Sequence, residues 1–288
     1  MASMRLLSDH AQVLRPTLDV RVVYTDLDGT MLGRGGAFVR GPDAALTPEP
    51  TEVLLGALKR GIDFVPTTGR TLRGLLGDAR ILGMRNVIAE MGALTAYDLG
   101  REVVTNLGAY PGGEEPPAAH MERTGALRLL FDSFRQRLEL HTPWASWREY
   151  TQLLRGTVNT DEADHVLAEG GFEWLTLHDN GTLHGAYLGM PAGSAHAYHL
   201  LPRGVDKGAA VALDRARRGF RREEAIAVGD ARADLLMAAE VGTLVVVRDA
   251  VEHDPVLADA VSALPNAYVS DRPGNLGWCD AIRMLAAP

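Results

Sequence analysis

The chain predicts an α/β fold in which a parallel sheet carries helices on both faces and is interrupted by an inserted α+β unit. Three observations carry this reading. Short apolar segments alternate with helical patterns between residues 20 and 92. Strand signals in pairs replace that rhythm between 93 and 201, and the alternation resumes from 202. The expected division is therefore a core of residues 1–92 and 202–288 around an inserted unit of 93–201.

The elements follow in order. Val20–Thr25 is β-branched and apolar and reads as a strand ending at Asp26. Gly33–Pro42 is a glycine-rich loop. Thr51–Arg60 has Val53, Leu54, Ala57 and Leu58 at helical spacing, with Gly61 placed to stop it. Ile62–Pro66 is a short strand closing on Thr67 and Thr68, Thr71–Leu82 a helix and Asn86–Ala89 a strand. Leu94–Tyr97 and Glu102–Asn106 read as paired strands about a turn at Asp98–Gly100. A Pro- and Gly-rich loop, Gly108–Pro117, precedes one long helical pattern over Met121–Leu138. Then come Trp147–Leu154, a helix near Thr160–Ala168, a strand at Phe172–Leu177, a turn at Asp179–Gly181 and a strand around Ala195–Leu201. The second core segment gives a helix at Lys207–Arg218, a strand at Ala225–Val228, a helix at Ala231–Val241 and a strand at Thr243–Arg248. Tyr268–Ser270 is a last short strand before a C-terminal helix.

Bulk composition narrows the function. At 288 residues, 46% hydrophobic and 23% charged, the chain suits two compact units. A net charge of −8 argues against a nucleic-acid grip, which needs a basic surface to displace counterions. It leaves a small phosphate ester open, because a few local cations and a metal decide that contact. A single cysteine, Cys279, excludes an intramolecular disulfide and a cysteine metal cluster and reads as a small hydrophobe. No apolar run approaches the ~18 residues that span a bilayer. Met1–Pro16 lacks the pattern of a signal peptide, so a cytoplasmic location with no membrane partner is expected.

Four motifs carry chemistry. Asp26-Leu27-Asp28-Gly29-Thr30 ends the first strand, at the carboxyl edge where open parallel sheets bind ligands. Two carboxylates facing one crevice can divide the work of nucleophile and proton donor, although Asp and Gly also make ordinary strand-ending turns. Thr67-Thr68-Gly69-Arg70 offers hydroxyl and backbone N–H groups to phosphate oxygens at a helix start, or is simply a helix cap. Lys207, in Gly204-Val205-Asp206-Lys207-Gly208, heads a helix and is either a charge aimed at a phosphoryl group or a solvated surface lysine. Gly229-Asp230-Ala231-Arg232-Ala233-Asp234 places two acids on similar faces one helical turn apart, as hard magnesium prefers, or as a helix cap alone requires.

All four lie at strand ends or helix starts of the alternating unit, in this order, and none falls in the inserted unit. On these residues the chain resembles the haloacid dehalogenase superfamily of phosphatases, in its branch with a large cap between the second and third motifs. TDLDGT with a later VDKG is also similar to members acting on sugar phosphates such as mannosyl-phosphoglycerate or sucrose phosphate. The resemblance covers essentially the whole chain and implies a Rossmann-like core with an α+β cap of the C2 type. It implies Asp26 as nucleophile and magnesium ligand, and Asp28 as general acid then base, giving the metal its backbone carbonyl. Thr68 would bind the phosphoryl oxygens with Thr67 as fallback, Lys207 would bridge nucleophile and phosphate, and Asp230 would complete the Mg2+ site with Asp234 assisting. Gly69 and Arg70 join them as substrate contacts. In the cap, Arg148, Arg155, His178, Asp179, Asn180 and His196 are candidate specificity contacts, or solvated and locally bonded residues, with His178–Gly181 a hairpin turn. The implied partner is a small phosphorylated metabolite, and the chain is expected to be a monomer or homodimer.

Two departures stand out: Met91 in Glu90-Met91-Gly92-Ala93, and Ala233 before Asp234, both where Asn is usual in such proteins. They affect hydrogen bonding around the site and leave the four main roles in place. A phosphomutase that returns the phosphoryl group to its substrate uses the same first motif. A non-catalytic sugar-phosphate-binding protein is disfavoured by the presence of every charged member. A receiver domain also combines acids, Thr and Lys, but lacks the long insertion and the DxDGT spacing.

Overall fold

The computed structural model describes residues 4–183, 187, 190 and 193–286, so Met1 and Pro288, the ends of the expected core, and part of the inserted unit lie outside it. The chain runs α1 (Leu7–Leu14), β1 (Val22–Thr25), α2 (Glu49–Lys59), β2 (Asp63–Pro66), α3 (Leu72–Leu82) and β3 (Val87–Ala89). A hairpin of β4 (Leu94–Tyr97) and β5 (Glu102–Thr105) follows. The inserted unit comprises α4 (Pro117–Thr124), α5 (Ala126–Ser133), β6 (Leu138–Leu140), β7 (Gln152–Gly156), α6 (Thr160–Glu169), β8 (Leu175–Thr182) and β9 (His196–Pro202). The chain returns through α7 (Lys207–Arg218), β10 (Ala225–Gly229), α8 (Arg232–Leu235), β11 (Thr243–Val246) and α9 (Arg248–His253). It closes with α10 (Pro255–Ala263), β12 (Ala267–Val269) and α11 (Gly274–Leu285).

The core is a five-stranded parallel sheet in the order β12-β11-β10-β1-β2. Its central strands are buried throughout, as expected where helices cover both faces. Alternation sorts their side chains into two clusters. Val23, Phe64, Ile226, Val228 and Val245 join Trp278 on one face, while Val22, Tyr24, Val65, Ala225, Ala227, Leu244 and Val246 pack on the other. From β1 the chain adds β2 on one side and later returns to add β10 on the other. The crevice beyond the carboxyl ends of β1 and β10 is thus a topological switch point.

The inserted unit has a four-stranded antiparallel sheet, β6-β7-β9-β8. Its outer face buries Leu154, Leu175, Leu177, Tyr198 and Leu200 against Met121, Leu127 and Leu130 of the covering helices. By the same alternation Arg155, His178 and His199 lie on the opposite face, where His178 pairs directly with His199 across the ladder. Leu201 on that face packs with Met91, Ala93, Val205 and Ala233 of the core side.

The α/β sheet and the alternation are as the sequence predicts, while several details differ. Met121–Leu138 is not one helix: Gly125 sits at φ +89°, which ends α4 and starts α5, and Leu138 belongs to β6. Asp179–Gly181 is an irregularity inside β8 and not a hairpin turn, with the register shifting between Asp179 and Thr182 and the Asp179 carboxylate accepting from the Gly181 N–H. Ala231–Val241 is one α-turn followed by a 3₁₀ segment, Leu236–Glu240, and over so few residues the two helical periods place apolar side chains alike. The β4–β5 hairpin pairs with β3, and Leu94 and Ala96 enter the main core cluster, so the core continues past residue 92. Among the described residues no helix is long and apolar enough to cross a membrane.

Leu200 is fully buried at the centre of the inserted unit's cluster. Leu200→Ala is expected to lower unfolding free energy by about 2–5 kcal/mol in chemical denaturation. A loss below about 1 kcal/mol would mean that this cluster is not what holds the unit together.

Candidate active site

The site begins where β1 ends. The Asp26 N–H donates to the Val228 carbonyl at 2.9 Å, continuing the parallel ladder by one residue. Leu27 then turns back into the core, leaving Asp26 and Asp28 on the crevice side. Gly29 takes φ +85°, and a Cβ built there would lie 2.0 Å from Asp230 Oδ2. Only glycine lets the first and fourth motifs approach this closely.

Lys207 stands at the first position of α7, where the Asp206 side chain caps the helix by accepting from the Ala209 N–H at 2.8 Å. Its Nζ donates to Asp26 Oδ1 at 2.7 Å and to Asp234 Oδ1 at 2.6 Å, with only 1% of the lysine exposed. Burial works against the ammonium, but Asp234 and Asp26 outweigh it and hold its pKa above the ordinary lysine range. The second Asp234 oxygen accepts from the N–H groups of Asp230 and Ala231, at 3.0 and 2.9 Å. Asp234 therefore fixes both the lysine and the loop bearing Asp230.

Asp26, Asp230 and Asp234 have ligand oxygens within 4.8 Å of one another. Burial first, then Asp234 and Asp28, push the Asp26 carboxyl up to about 7 against the pull of Lys207. Burial first, then Asp26, Asp234 and Asp249, raise Asp230 well above the usual range against the pull of Lys207. Three clustered acids facing one ammonium leave an excess of negative charge, which a divalent cation would neutralise. All-oxygen donors suit hard magnesium, and Asp26 and Asp230 are the residues free to hold it, since Asp234 already accepts three hydrogen bonds.

The other predicted residues are placed differently. Both Asp28 oxygens are taken by Arg70, from Nε at 2.8 Å and Nη2 at 2.6 Å, and Arg70 also donates to Asp78 at 2.7 Å. Arg70 thus acts as a fork between two acids. Thr68 is buried beside Asp26's strand, its N–H bonded to the Ile88 carbonyl and its hydroxyl accepting from the Arg70 N–H at 3.3 Å. The Thr67 hydroxyl donates back to the Val65 carbonyl at 3.0 Å and is committed to the sheet. Arg148 reaches from the inserted unit to the Gly69 carbonyl at 2.9 Å. Arg155 is paired with Glu139 at 2.6 Å and lies over the Tyr187 ring. His178 faces the core with a pKa lowered by burial, and Asn180 makes no side-chain hydrogen bond among the described residues. His196 and Asp179 bind each other at 2.8 Å, and that bond raises the histidine.

No family model matches the chain. A phosphoglycolate phosphatase of Methanopyrus kandleri is 26% identical to it over 243 residues, covering 83% of this chain and 89% of that protein. The crystal structure of Synechocystis sucrose-phosphatase with sucrose and phosphate superposes with a TM-score of 0.62 at 15% identity, over 92% of this chain and 97% of that one. A subclass IIB sugar phosphatase of the haloacid dehalogenase superfamily superposes with a TM-score of 0.60 at 18% identity, over 93% of this chain and 100% of that one. The fold is that of haloacid dehalogenase superfamily phosphatases.

Sequence reasoning missed two residues that this haloacid dehalogenase fold brings to the site. Glu90, buried at φ +46°, accepts from the N–H groups of Glu149, Tyr150 and Thr151 and from the Thr151 hydroxyl, at 2.9–3.3 Å. It fastens the inserted unit to the end of β3. His199 is buried against Gly69, so closely that a Cβ there would lie 2.5 Å from its Nε2. Its signal was available: in the strand around Ala195–Leu201, Tyr198 and Leu200 share one face and His199 the other.

Because the folded metal-free chain favours protonated Asp26 and Asp230, their burial destabilises it increasingly as pH rises from the unfolded carboxylate range through about 7. Added Mg2+ should therefore raise the melting temperature, and more at pH 7.5 than at pH 5. An equal shift at both pH values, or none, would contradict this charge balance.

Proposed function

We propose that the chain is a magnesium-dependent phosphatase that hydrolyses a small phosphate monoester, a sugar phosphate or related metabolite, through a phospho-Asp26 intermediate. One observation carries the reading: Asp26, at the switch point of the sheet, shares a buried lysine with Asp234 and lies within 4.8 Å of Asp230. The hydrolases named among the similar proteins, acting on phosphoglycolate, sucrose phosphate and sugar phosphates, support the reaction class.

An Asp26 oxygen attacks phosphorus as the bond to the leaving oxygen breaks, and Asp28 gives that oxygen a proton. Lys207, held by Asp26 and Asp234, sits where it offsets charge on the transferring oxygens, and Thr68 presents its hydroxyl to them. Asp28, now the base, takes a proton from water as that water attacks the aspartyl phosphate, releasing inorganic phosphate and restoring Asp26. Bound at Asp26 and Asp230, magnesium supplies charge neutralisation for the phosphoryl oxygens. For Asp28 to transfer a proton, at least one of its two bonds to Arg70 must yield.

Asp26→Asn is expected to abolish Mg2+-dependent phosphate release from a sugar-phosphate panel, and Asp28→Asn to lower kcat by about 10²–10⁴-fold. Stoichiometric free phosphate separates hydrolysis from mutase transfer. A surviving rate in Asp26→Asn would remove the nucleophile assignment.

A further inference from the structure

Asp28, the proton donor of the proposed reaction, is fully engaged by a neighbour. Arg70 donates to it from Nε at 2.8 Å and from Nη2 at 2.6 Å, one bond to each carboxylate oxygen. The third arm of the guanidinium, Nη1, donates to Asp78 at 2.7 Å. This fork is rooted on firm backbone. The Arg70 N–H donates to the Thr68 hydroxyl, and its carbonyl accepts from the Glu90 N–H at 2.9 Å. Asp78 stands on α3, which buries Leu75 and Ala79 in the main core cluster. The glycine-rich loop packs against the pair: a Cβ built at Gly36, where φ is +71°, would lie 3.6 Å from both Arg70 Nη2 and Asp28 Oδ1.

Stability does not account for this network. The side chains of Asp28 and Asp78 are 57% and 42% exposed, and ion pairs so open to water add little. What a two-armed guanidinium does supply is direction, since it fixes the plane of a carboxylate as a single bond cannot. Proton transfer needs one Asp28 oxygen released while the carboxylate stays aimed. A guanidinium bonded to Asp28 alone could swing with it and lose that aim. We infer that Asp78 anchors Arg70, so that Asp28 gives up one bond to the leaving oxygen and keeps the other. Arg70 and Asp78 are then positioning residues for Asp28, and Arg70 is not the substrate contact its sequence position suggests. The inference rests on the phosphatase reading. The effect at stake is large: general acid catalysis contributes about 10²–10⁴-fold, and a misplacement of about 1 Å can forfeit about 10²-fold.

The test uses the leaving group. A sugar alkoxide needs the proton from Asp28, whereas 4-nitrophenolate departs without one. With Mg2+ present, kcat/KM covers the steps up to that departure and excludes the later hydrolysis of the aspartyl phosphate. It is measured for the sugar phosphate of the panel that turns over fastest and for 4-nitrophenyl phosphate. The proteins are the wild type, Arg70→Gln, Asp78→Asn, Asp28→Asn, and Asp28→Asn combined with each of the first two. Within each protein the sugar-to-nitrophenyl ratio cancels any general loss of activity. The ratio is expected to fall about 10–100-fold in Arg70→Gln and about 3–10-fold in Asp78→Asn. In the double variants it should fall no further than in Asp28→Asn alone. A ratio unchanged in Arg70→Gln or in Asp78→Asn overturns the inference, as would follow if Arg70 gripped the phosphoryl group of both esters alike. A further fall in the double variants also overturns it, because the effect would then not pass through Asp28. In both cases the phosphatase stands. Release of phosphate from neither ester by the wild type fails the phosphatase reading itself, and the inference with it.

Discussion

The ammonium of Lys207, buried between Asp26 and Asp234, constrains everything around it. A buried ion costs several kcal/mol to desolvate, and removing one partner of such a group typically costs 3–5 kcal/mol. The pairing therefore locks the end of β1, the start of α7 and the loop before α8 into one geometry. Lys207 and Asp26 are 181 positions apart, yet β1 and β10 are neighbours in the sheet and α7 leads directly into β10. The long insertion between them is tolerated because the chain leaves the five-stranded sheet after β2 and rejoins it at β10, next to β1.

A second buried charge ties the insertion down. Glu90 receives four donors from residues 149–151, and left-handed backbone at Glu90 and Met91, φ +46° and +61°, aims it there. Beside it, Met91 and Ala233 belong to one small apolar cluster with Ala93, Leu201 and Val205. These two residues stand where Asn was expected, and both departures fall in this one apolar cluster. Arg148 adds a further tie, its Nη1 donating to the Gly69 carbonyl at 2.9 Å.

The alternating core was legible because β1, β10 and β11 are short, β-branched and bounded by clear turn residues, and because motif residues at strand ends mark the crevice. Asp26, Asp230, Asp234 and Lys207 lie together at that crevice. What stayed hidden depended on backbone signs and on facing. The positive φ at Gly125 splits a helix whose apolar spacing runs on without a break. The reach of Arg70 to Asp28, and not toward open crevice, is set by Asp78 on the following helix, which no local pattern relates to the first motif. His199 was passed over for His196, its neighbour on the opposite face of the same strand, because that choice needs to know which face of the inserted sheet meets the core.

Charge balance joins these parts. The chain is net negative, yet the phosphate monoester we propose as its substrate carries negative charge too. The conflict is resolved locally: the acids at the switch point face a buried lysine and suit a divalent cation, and the face above them presents Arg148, Arg155 and histidines whose own acids are already engaged. One side of the crevice thus needs positive charge brought in, and the other supplies it. A phosphate ester of the kind proposed would meet both sides at once, its phosphoryl group against the acids, lysine and cation and its leaving group against the inserted unit.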